Sequence, residues 1–278
     1  MLTTSQPDNA GMTAYEEKRQ SRYYVQMDAL IESLADRFTK PAEAILAAEG
    51  RRAADAYEKM GRNAAIAAPD ETIWADYLRR LWITAAPEAA DVTGEWLGIP
   101  PESKGAEAKA ARRQPLGRMS TITAANQKIR ELAPGKAYEI AQTSRELIRQ
   151  SIEATATTPG GTVARIAQQI LSDNLASRGT RARRVAHTES HESANFGSID
   201  AARLVSRALD KVWLSLMDGK QRDAHGGAHK QRRRLEQNFT VGGEILAYPG
   251  DSSLGASASN LVNCRCVLGF IRKTVARQ

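Results

Sequence analysis

Lys211-Val-Trp-Leu-Ser-Leu-Met-Asp218 is the stretch where this chain changes period. Val212, Leu214 and Leu216 alternate with Trp213, Ser215 and Met217. A two-residue repeat that is apolar on both sides predicts a strand covered at least partly on both faces. Downstream, Phe239 to Tyr248 carries Gly242-Gly243 at its middle, which predicts a short hairpin or a bulged strand. Val262, Cys264, Cys266, Leu268 and Phe270 then form one alternating apolar face. These three segments predict a small, mostly antiparallel sheet.

Upstream of Lys211 the period is helical. From Thr13 to Phe38 apolar side chains recur at Tyr24, Met27, Ala29-Leu30-Ile31, Leu34 and Phe38. Pro41 is expected to open a second helix at its first position, running to Gly61. Asp70 reads as the N-cap of a helix carrying Ile73, Trp74, Tyr77, Leu78, Leu81 and Trp82, limited by Pro87. Gly98 to Gly105 breaks regular structure, and Ala106 to Arg113 is rich in Ala, Lys and Arg. Ser120 to Leu132 is expected to form a helix ending at Pro134-Gly135, and Lys136 to Ala154 another. Thr157-Thr-Pro-Gly-Gly161 is a break. After it come a short amphipathic helix, Thr162 to Leu175, and a longer one, Arg181 to Leu209. The longer one packs through Val185, Ala186, Ala194, Ile199, Ala202, Leu204 and Val205.

The expected fold class is therefore α+β: a largely helical N-terminal region, then a C-terminal domain of helices plus the small sheet. The expected parts are a flexible N-terminus (1–12), a helical region (13–97), a linker or exposed segment (98–118), a second helical region (119–159) and a C-terminal domain (160–278).

The 278 residues suffice for two modest domains or one large one, with a core that needs no staples. Aromatics make up only 5% of the chain, and Ala is abundant in its first two thirds. Helices are thus expected to pack through small side chains. The 39 basic and 32 acidic residues give +7. That balance suits contact with nucleic acid or an acidic protein surface, and equally suits ordinary solvated helix faces. The two cysteines stand in a Cys-x-Cys pair. Residues two apart on a strand are too distant for an easy disulfide, so a reducing compartment is expected. The N-terminus lacks the basic-then-apolar pattern of a signal peptide, and no run approaches the roughly 18 apolar residues of a membrane span.

Three groups of residues carry candidate chemistry. His225, His229, Cys264 and Cys266 are zinc-type donors that could close a tetrahedral structural site. Cys-x-Cys is not the usual knuckle spacing, however, and a cysteine on an apolar strand face behaves as a small hydrophobe. His187-Thr-Glu-Ser-His191 places two imidazoles on one helix face, but Glu189 is not at the second position of a zinc-protease helix. Two basic runs, carrying Arg181, Arg183 and Arg184, and Lys230, Arg232, Arg233 and Arg234, are candidate contacts to DNA phosphates. No aromatics interleave them, so base stacking is not expected. No P-loop, nucleophile elbow or dinucleotide fingerprint is present.

Six segments, taken in order, carry a resemblance. They are Arg181-Ala-Arg-Arg-Val-Ala-His-Thr-Glu189 with Asn195, Val212 to Asp218, Arg222 with His225, Phe239-Thr-Val-Gly-Gly243, Tyr248-Pro-Gly-Asp251 and Asn263-Cys-Arg-Cys266. In that order and spacing they resemble the phage Mu F-like minor head protein family, the head-morphogenesis proteins of tailed bacteriophages. The resemblance covers residues 160–278. Its signature positions are Thr188, Glu189, Asn195, Trp213, Asp218, Arg222, His225, Phe239, Gly243, Tyr248, Pro249, Asp251, Asn263, Cys264, Arg265 and Cys266. The family usually carries Arg where this chain has His187, and His229 is not a signature position.

The resemblance implies a viral capsid assembly protein, not an enzyme: a minor head component present in few copies and acting with the portal in procapsid assembly. It implies the portal and the major capsid or scaffold protein as partners, packaged double-stranded DNA as a further contact, and the virion head as location after assembly in the host cytoplasm. It implies no catalytic residue, no required cofactor and no membrane. It also suggests that a polar cluster, in which Asp218, Arg222 and Arg265 pair, locks residues 218–238 onto the final strand. The competing readings are a metal-dependent nuclease or toxin-type effector built on Asp218, His225 and His229, and a DNA-binding adaptor with steep salt dependence.

Overall fold

Four long helices dominate the computed structural model, which describes residues 12–98, 116–205 and 209–272. They are α1 (Ala14–Met60), α3 (Glu71–Leu97), α4 (Leu116–Ala156) and α5 (Val163–Val205), with a short α2 (Arg62–Ala67) between the first two. The sheet elements follow: β1 (Leu209–Leu214), α6 (Asp223–Ala228), β2 (Arg232–Arg234), β3 (Phe239–Val241), β4 (Glu244–Leu246), α7 (Ala258–Leu261) and β5 (Val267–Arg272). The class is α+β, with the helices first and a small antiparallel sheet toward the C-terminus. The expectations for residues 1–11 and 99–115 lie outside the described residues.

Helix starts follow local chemistry. Thr13 and Glu16 form a reciprocal capping box at α1, the Thr13 amide donating to Glu16 Oε2 (2.8 Å) and the Glu16 amide to Thr13 Oγ1 (3.2 Å). Asp70 Oδ1 accepts the Thr72 amide (2.8 Å) at the start of α3. Residues 157–161 separate α4 from α5, as their composition predicts.

The expected helix breaks at Pro41, Pro87, Pro134-Gly135 and between Leu175 and Arg181 are corrected. α1 runs through Pro41, α3 through Pro87, α4 through Pro134 and α5 through Gly179. An interior proline costs about 3 kcal/mol, and each fully buried large aliphatic side chain returns about 1.5–3 kcal/mol. Around Pro41 the buried neighbours Leu34, Ala35, Ala42 and Leu46 outweigh that cost. Pro41, Pro134 and Gly135 also face solvent, where water can satisfy the carbonyl that loses its partner. The expected extension of α5 to Leu209 is corrected too, since Leu209 opens β1. Leu204, expected to pack, is 54% exposed.

The chain packs into two compact units, each discontinuous in sequence. Unit 1 comprises Met1–Ser33, Ile83–Ala125 and Ser190–Gln278; unit 2 comprises Leu34–Trp82 and Asn126–Glu189. The division cuts across the sequence-based boundary at residue 160.

In unit 1 the strand order is β2-β1-β5, antiparallel throughout, with Val212 opposite Arg232 and Gly269. Val212 and Leu214 join a core of Tyr23, Tyr24, Met27, Ile31, Ala89, Ala194, Val267 and Ile271. On the other face of β1, Trp213 packs edge-on against Phe239 and His225, with ring centroids 5.4 and 5.8 Å away. Both faces of β1 are therefore covered. The alternation stops there: Leu216 and Met217 are exposed. β3 and β4 form a two-residue hairpin in which Gly242 and Gly243 take φ of 58° and 85°. Positive φ at both central residues is the geometry that matches strand twist.

The segment Ser190 to Ile199 of α5 is buried on every side although six of its ten residues are polar. Its Glu192 carboxyl and Asn195 amide are paired internally, as burial demands. Glu192 Oε1 accepts from the Ser252 amide (3.0 Å) and hydroxyl (2.8 Å). Asn195 Oδ1 accepts the Leu268 amide (2.8 Å), and its Nδ2 donates to the His191 carbonyl (3.0 Å). Gly197 allows close approach to α3: a Cβ there would lie 2.0 Å from the Ala86 carbonyl oxygen.

Unit 2 packs through alanine and isoleucine, with Ala53, Ala54, Ala65, Ile148, Ile152, Ile166, Ala167 and Ile170 forming one cluster. Within it, Glu49 accepts from Trp74 Nε1 (2.7 Å) and Ser144 Oγ (2.8 Å), and Arg181 donates to Ser144 Oγ (2.9 Å). Burial raises the Glu49 carboxyl above its ordinary range, against those bonds and the Arg181 charge. Among the described residues no helix is long and apolar enough to cross a membrane.

Candidate functional site

β5 begins at Val267, so Cys264 and Cys266 lie in the turn segment before it. This corrects their expected place on the strand. α7 finishes at Leu261, and Asn263 takes φ of 53°, reversing the chain into the Cys-x-Cys pair. Both sulfurs end up buried beside one imidazole. His225 Nδ1 lies 3.3 Å from Cys266 Sγ and 3.6 Å from Cys264 Sγ. His225, Cys264 and Cys266 are at most 3% exposed, and their three donor atoms all lie within 4.8 Å of one another.

A chain of hydrogen bonds sets the state of His225. Asn260 Nδ2 donates to the Val241 carbonyl (3.2 Å) and to Glu244 Oε2 (2.6 Å). That leaves Asn260 Oδ1, 3.1 Å from His225 Nε2, as an acceptor. His225 Nε2 must therefore carry hydrogen, and in the neutral ring Nδ1 presents its lone pair to the sulfurs. Ser257 and Asn260 hold the Glu244 carboxyl below its ordinary range, which keeps it an acceptor.

The two thiols differ. Burial pushes the Cys264 thiol well up. Burial also opposes ionisation of Cys266, while the neighbouring Cys264 favours it. Ser215 Oγ lies 3.0 Å from Cys266 Sγ while donating to the His225 carbonyl (3.0 Å). One nitrogen and two sulfurs at these separations are a donor set for a thiophilic cation. His229 is not in this set: its Nδ1 accepts the Ser215 amide (3.1 Å), and burial lowers its pKa.

A second layer fixes the cluster to the rest of unit 1. Arg265 makes a two-pronged pair with Asp218 (2.9 and 3.0 Å), which holds the Asp218 carboxyl down near 2. Arg222 does not join them as expected; its guanidinium donates to the Val262 carbonyl. Tyr24 OH donates to the Arg265 carbonyl (2.6 Å), and His191 Nε2 lies 2.6 Å from the Cys266 carbonyl. Asp251 closes the Tyr248-Pro-Gly-Asp251 turn, accepting the Ala247 amide (2.9 Å) and the Ser253 amide (3.0 Å). Gly250 in that turn has φ of 84° and lies under His191, whose Nδ1 would be 2.6 Å from an added Cβ.

No protein family, no curated protein and no solved structure matches this chain.

Asn195, Trp213, Asp218, Arg222, His225, Phe239, Tyr248, Pro249, Asp251, Cys264, Arg265 and Cys266 all lie in unit 1 around the sheet and its loops. Gly243 serves the hairpin turn, and Asn263 the turn before the cysteines. Thr188 and Glu189 belong to unit 2, where Glu189 accepts from Lys136 Nζ (2.9 Å) and Trp82 Nε1 (3.2 Å). His187 and His191 are both buried, and His191 acts as a backbone clamp.

Most of the candidate phosphate contacts are engaged internally. Arg181 binds Ser144, Arg183 pairs with Asp36, Lys230 with Glu17 (2.6 Å) and Arg232 with Asp210 (2.9 Å). Arg233 donates to the Asn238 carbonyl (3.2 Å), while Arg184 and Arg234 are exposed.

The sequence reading missed Ser215, Asn260, Glu192 and Lys211. Lys211 is 1% exposed, its Nζ donating to the Ala247 carbonyl (2.6 Å) and lying 5.1 Å from the centre of the Phe239 ring. Burial lowers its pKa to about 8. Its signal was a charged residue inside the apolar alternation of β1. Ser215 and Asn260 carry no spacing signal, because both act through tertiary contact.

Proposed function

We propose that this chain is a minor capsid, head-morphogenesis protein of a tailed bacteriophage or prophage, acting with the portal in procapsid assembly. The observation that carries the reading is how the signature residues are used. Asp218, Arg222, His225, Asn195, Tyr248, Asp251 and the Cys-x-Cys pair are spent on internal contacts that tie loops, sheet and central helix together. Such residues build a rigid module; a catalytic set has to meet a substrate. His225 at 2% exposure and Cys266 at 3% cannot reach a phosphodiester without unfolding the loop around them.

The portal and the major capsid or scaffold protein are the proposed partners, with packaged double-stranded DNA as a further contact. The proposed location is the virion head, reached from the host cytoplasm. The DNA-binding and nuclease readings are weaker, because five of the seven basic side chains are held by partners within their own unit.

Quantitative mass spectrometry of purified particles and procapsids tests the proposal. A few to a few dozen copies per particle, cross-linking to the portal, is the expected result. Absence from both particles and precursors overturns it.

A further inference from the structure

We propose that His225, Cys264 and Cys266 bind a single zinc-class cation, with Ser215 Oγ placed to complete the coordination. The donor geometry stands whatever the role of the chain in a particle.

The first argument is distance. Tetrahedral zinc with Zn–S of about 2.3 Å and Zn–N of about 2.0–2.1 Å places nitrogen about 3.6 Å from each sulfur. The observed separations are 3.3 and 3.6 Å. The second argument is hydrogen-bond counting. The Glu244–Asn260–His225 chain leaves one lone pair on Nδ1, and that single acceptor faces two sulfurs. One S–H can donate to it, and the other is left to donate to Ser215 Oγ, 3.0 Å from Cys266 Sγ. A cation at the centre satisfies all three donors at once.

The third argument is the surrounding shell. Metal-bound imidazoles ordinarily donate their second N–H to an oxygen that fixes the ring, as His225 Nε2 does to Asn260. The Cys266 amide points at Cys264 Sγ (3.4 Å), as amides do at metal-bound thiolates. Ser215 spends its proton on the His225 carbonyl, leaving oxygen lone pairs 3.0 Å from Cys266 Sγ.

Binding is a proton exchange without redox. Each thiol loses its proton to solvent, two sulfur–metal bonds and one nitrogen–metal bond form, and two protons are released per ion. The competing use of the same atoms is a thiolate–imidazole nucleophile oriented by Asn260. It requires a sulfur that a substrate can approach, and Cys266 is 3% exposed.

The experiment uses the full chain, purified without chelators, with metal content read by elemental analysis and cobalt(II) as spectroscopic probe. One zinc per chain is expected, and cobalt exchange should produce intense near-ultraviolet thiolate charge-transfer bands. His225→Ala, Cys264→Ser and Cys266→Ser should lose the ion. His229→Ala should keep it, and Ser215→Ala should weaken affinity about tenfold. Circular dichroism of each variant separates lost binding from lost folding. Folded wild-type protein that carries no metal and yields no cobalt charge-transfer band overturns the proposal. So does rapid alkylation of both cysteines by iodoacetamide in the zinc-loaded native chain.

Discussion

Replacing Lys211 with Met should change the pH dependence of stability by a predictable amount. In the folded chain Lys211 releases its proton near pH 8, because burial disfavours the ammonium. Arg203 adds to that effect, while Glu236 and Asp251 oppose it. In the unfolded chain the same group titrates near the ordinary value of about 10.4. Between those two values the unfolded state holds one proton more, so stability rises with pH. A gap of about 2.5 units at 1.36 kcal/mol each gives about 3 kcal/mol, gained as pH climbs from 7.5 to 10.5. Lys211→Met removes this titration and leaves the Ala247 carbonyl without its donor, which adds a penalty that does not vary with pH. The quantity to follow is therefore the difference in unfolding free energy between wild type and Lys211→Met. Urea titrations read by tryptophan fluorescence across that range should show the difference growing in favour of wild type by about 3 kcal/mol. Parallel curves would refute the account of Lys211 as a buried, proton-losing ammonium.

Two further perturbations follow from the packing. Gly197→Ala forces a Cβ to 2.0 Å from a backbone carbonyl, whereas Gly243→Ala meets nothing within 4 Å and strains only its φ of +85°. The first should cost about 3 kcal/mol and the second about 1–2 kcal/mol; thermal melts that reverse this order would contradict the close approach of α5 and α3. Glu49→Ala should destabilise the chain by about 3–5 kcal/mol, since it strands Arg181, Trp74 Nε1 and Ser144 together. Glu49→Gln keeps acceptor capacity and should cost less, so equal losses in denaturant titrations would dismiss the charge term.

Several elements were legible from local pattern because local chemistry makes them. The capping pair Thr13–Glu16, the Asp70 cap and the Gly242-Gly243 hairpin are decided within a few residues. The prolines misled for the opposite reason: Pro41 and Pro134 break helices in isolation, and burial on both sides keeps them helical here. The polar run from Ser190 to Ser198 could not be read as a core from periodicity, which equates polar with exposed. Its Glu192, Asn195 and His191 are paired with Ser252, Leu268 and Cys266, residues about 60 to 75 positions away. At the candidate site the cysteines and His225 stood out by residue type. The tautomer of His225 did not, because Asn260 and Glu244 set it from elements that carry no motif.

The division into two units gives residues 160–278 an unusual kind of dependence. Residues 160–278 hold all the loops of the candidate site, but the carbonyls flanking its cysteines and its last strand are capped from the N-terminal helix, by Tyr24 at Arg265 and by Gln20 at Phe270. Each of α1, α3, α4 and α5 passes from one unit to the other without interruption. A segment holding only residues 160–278 would carry the cluster without the Tyr24 and Gln20 donors that cap those carbonyls. Residues from both ends of the sequence, Met1–Ser33 and Ser190–Gln278, therefore have to be present together for unit 1 to hold the site.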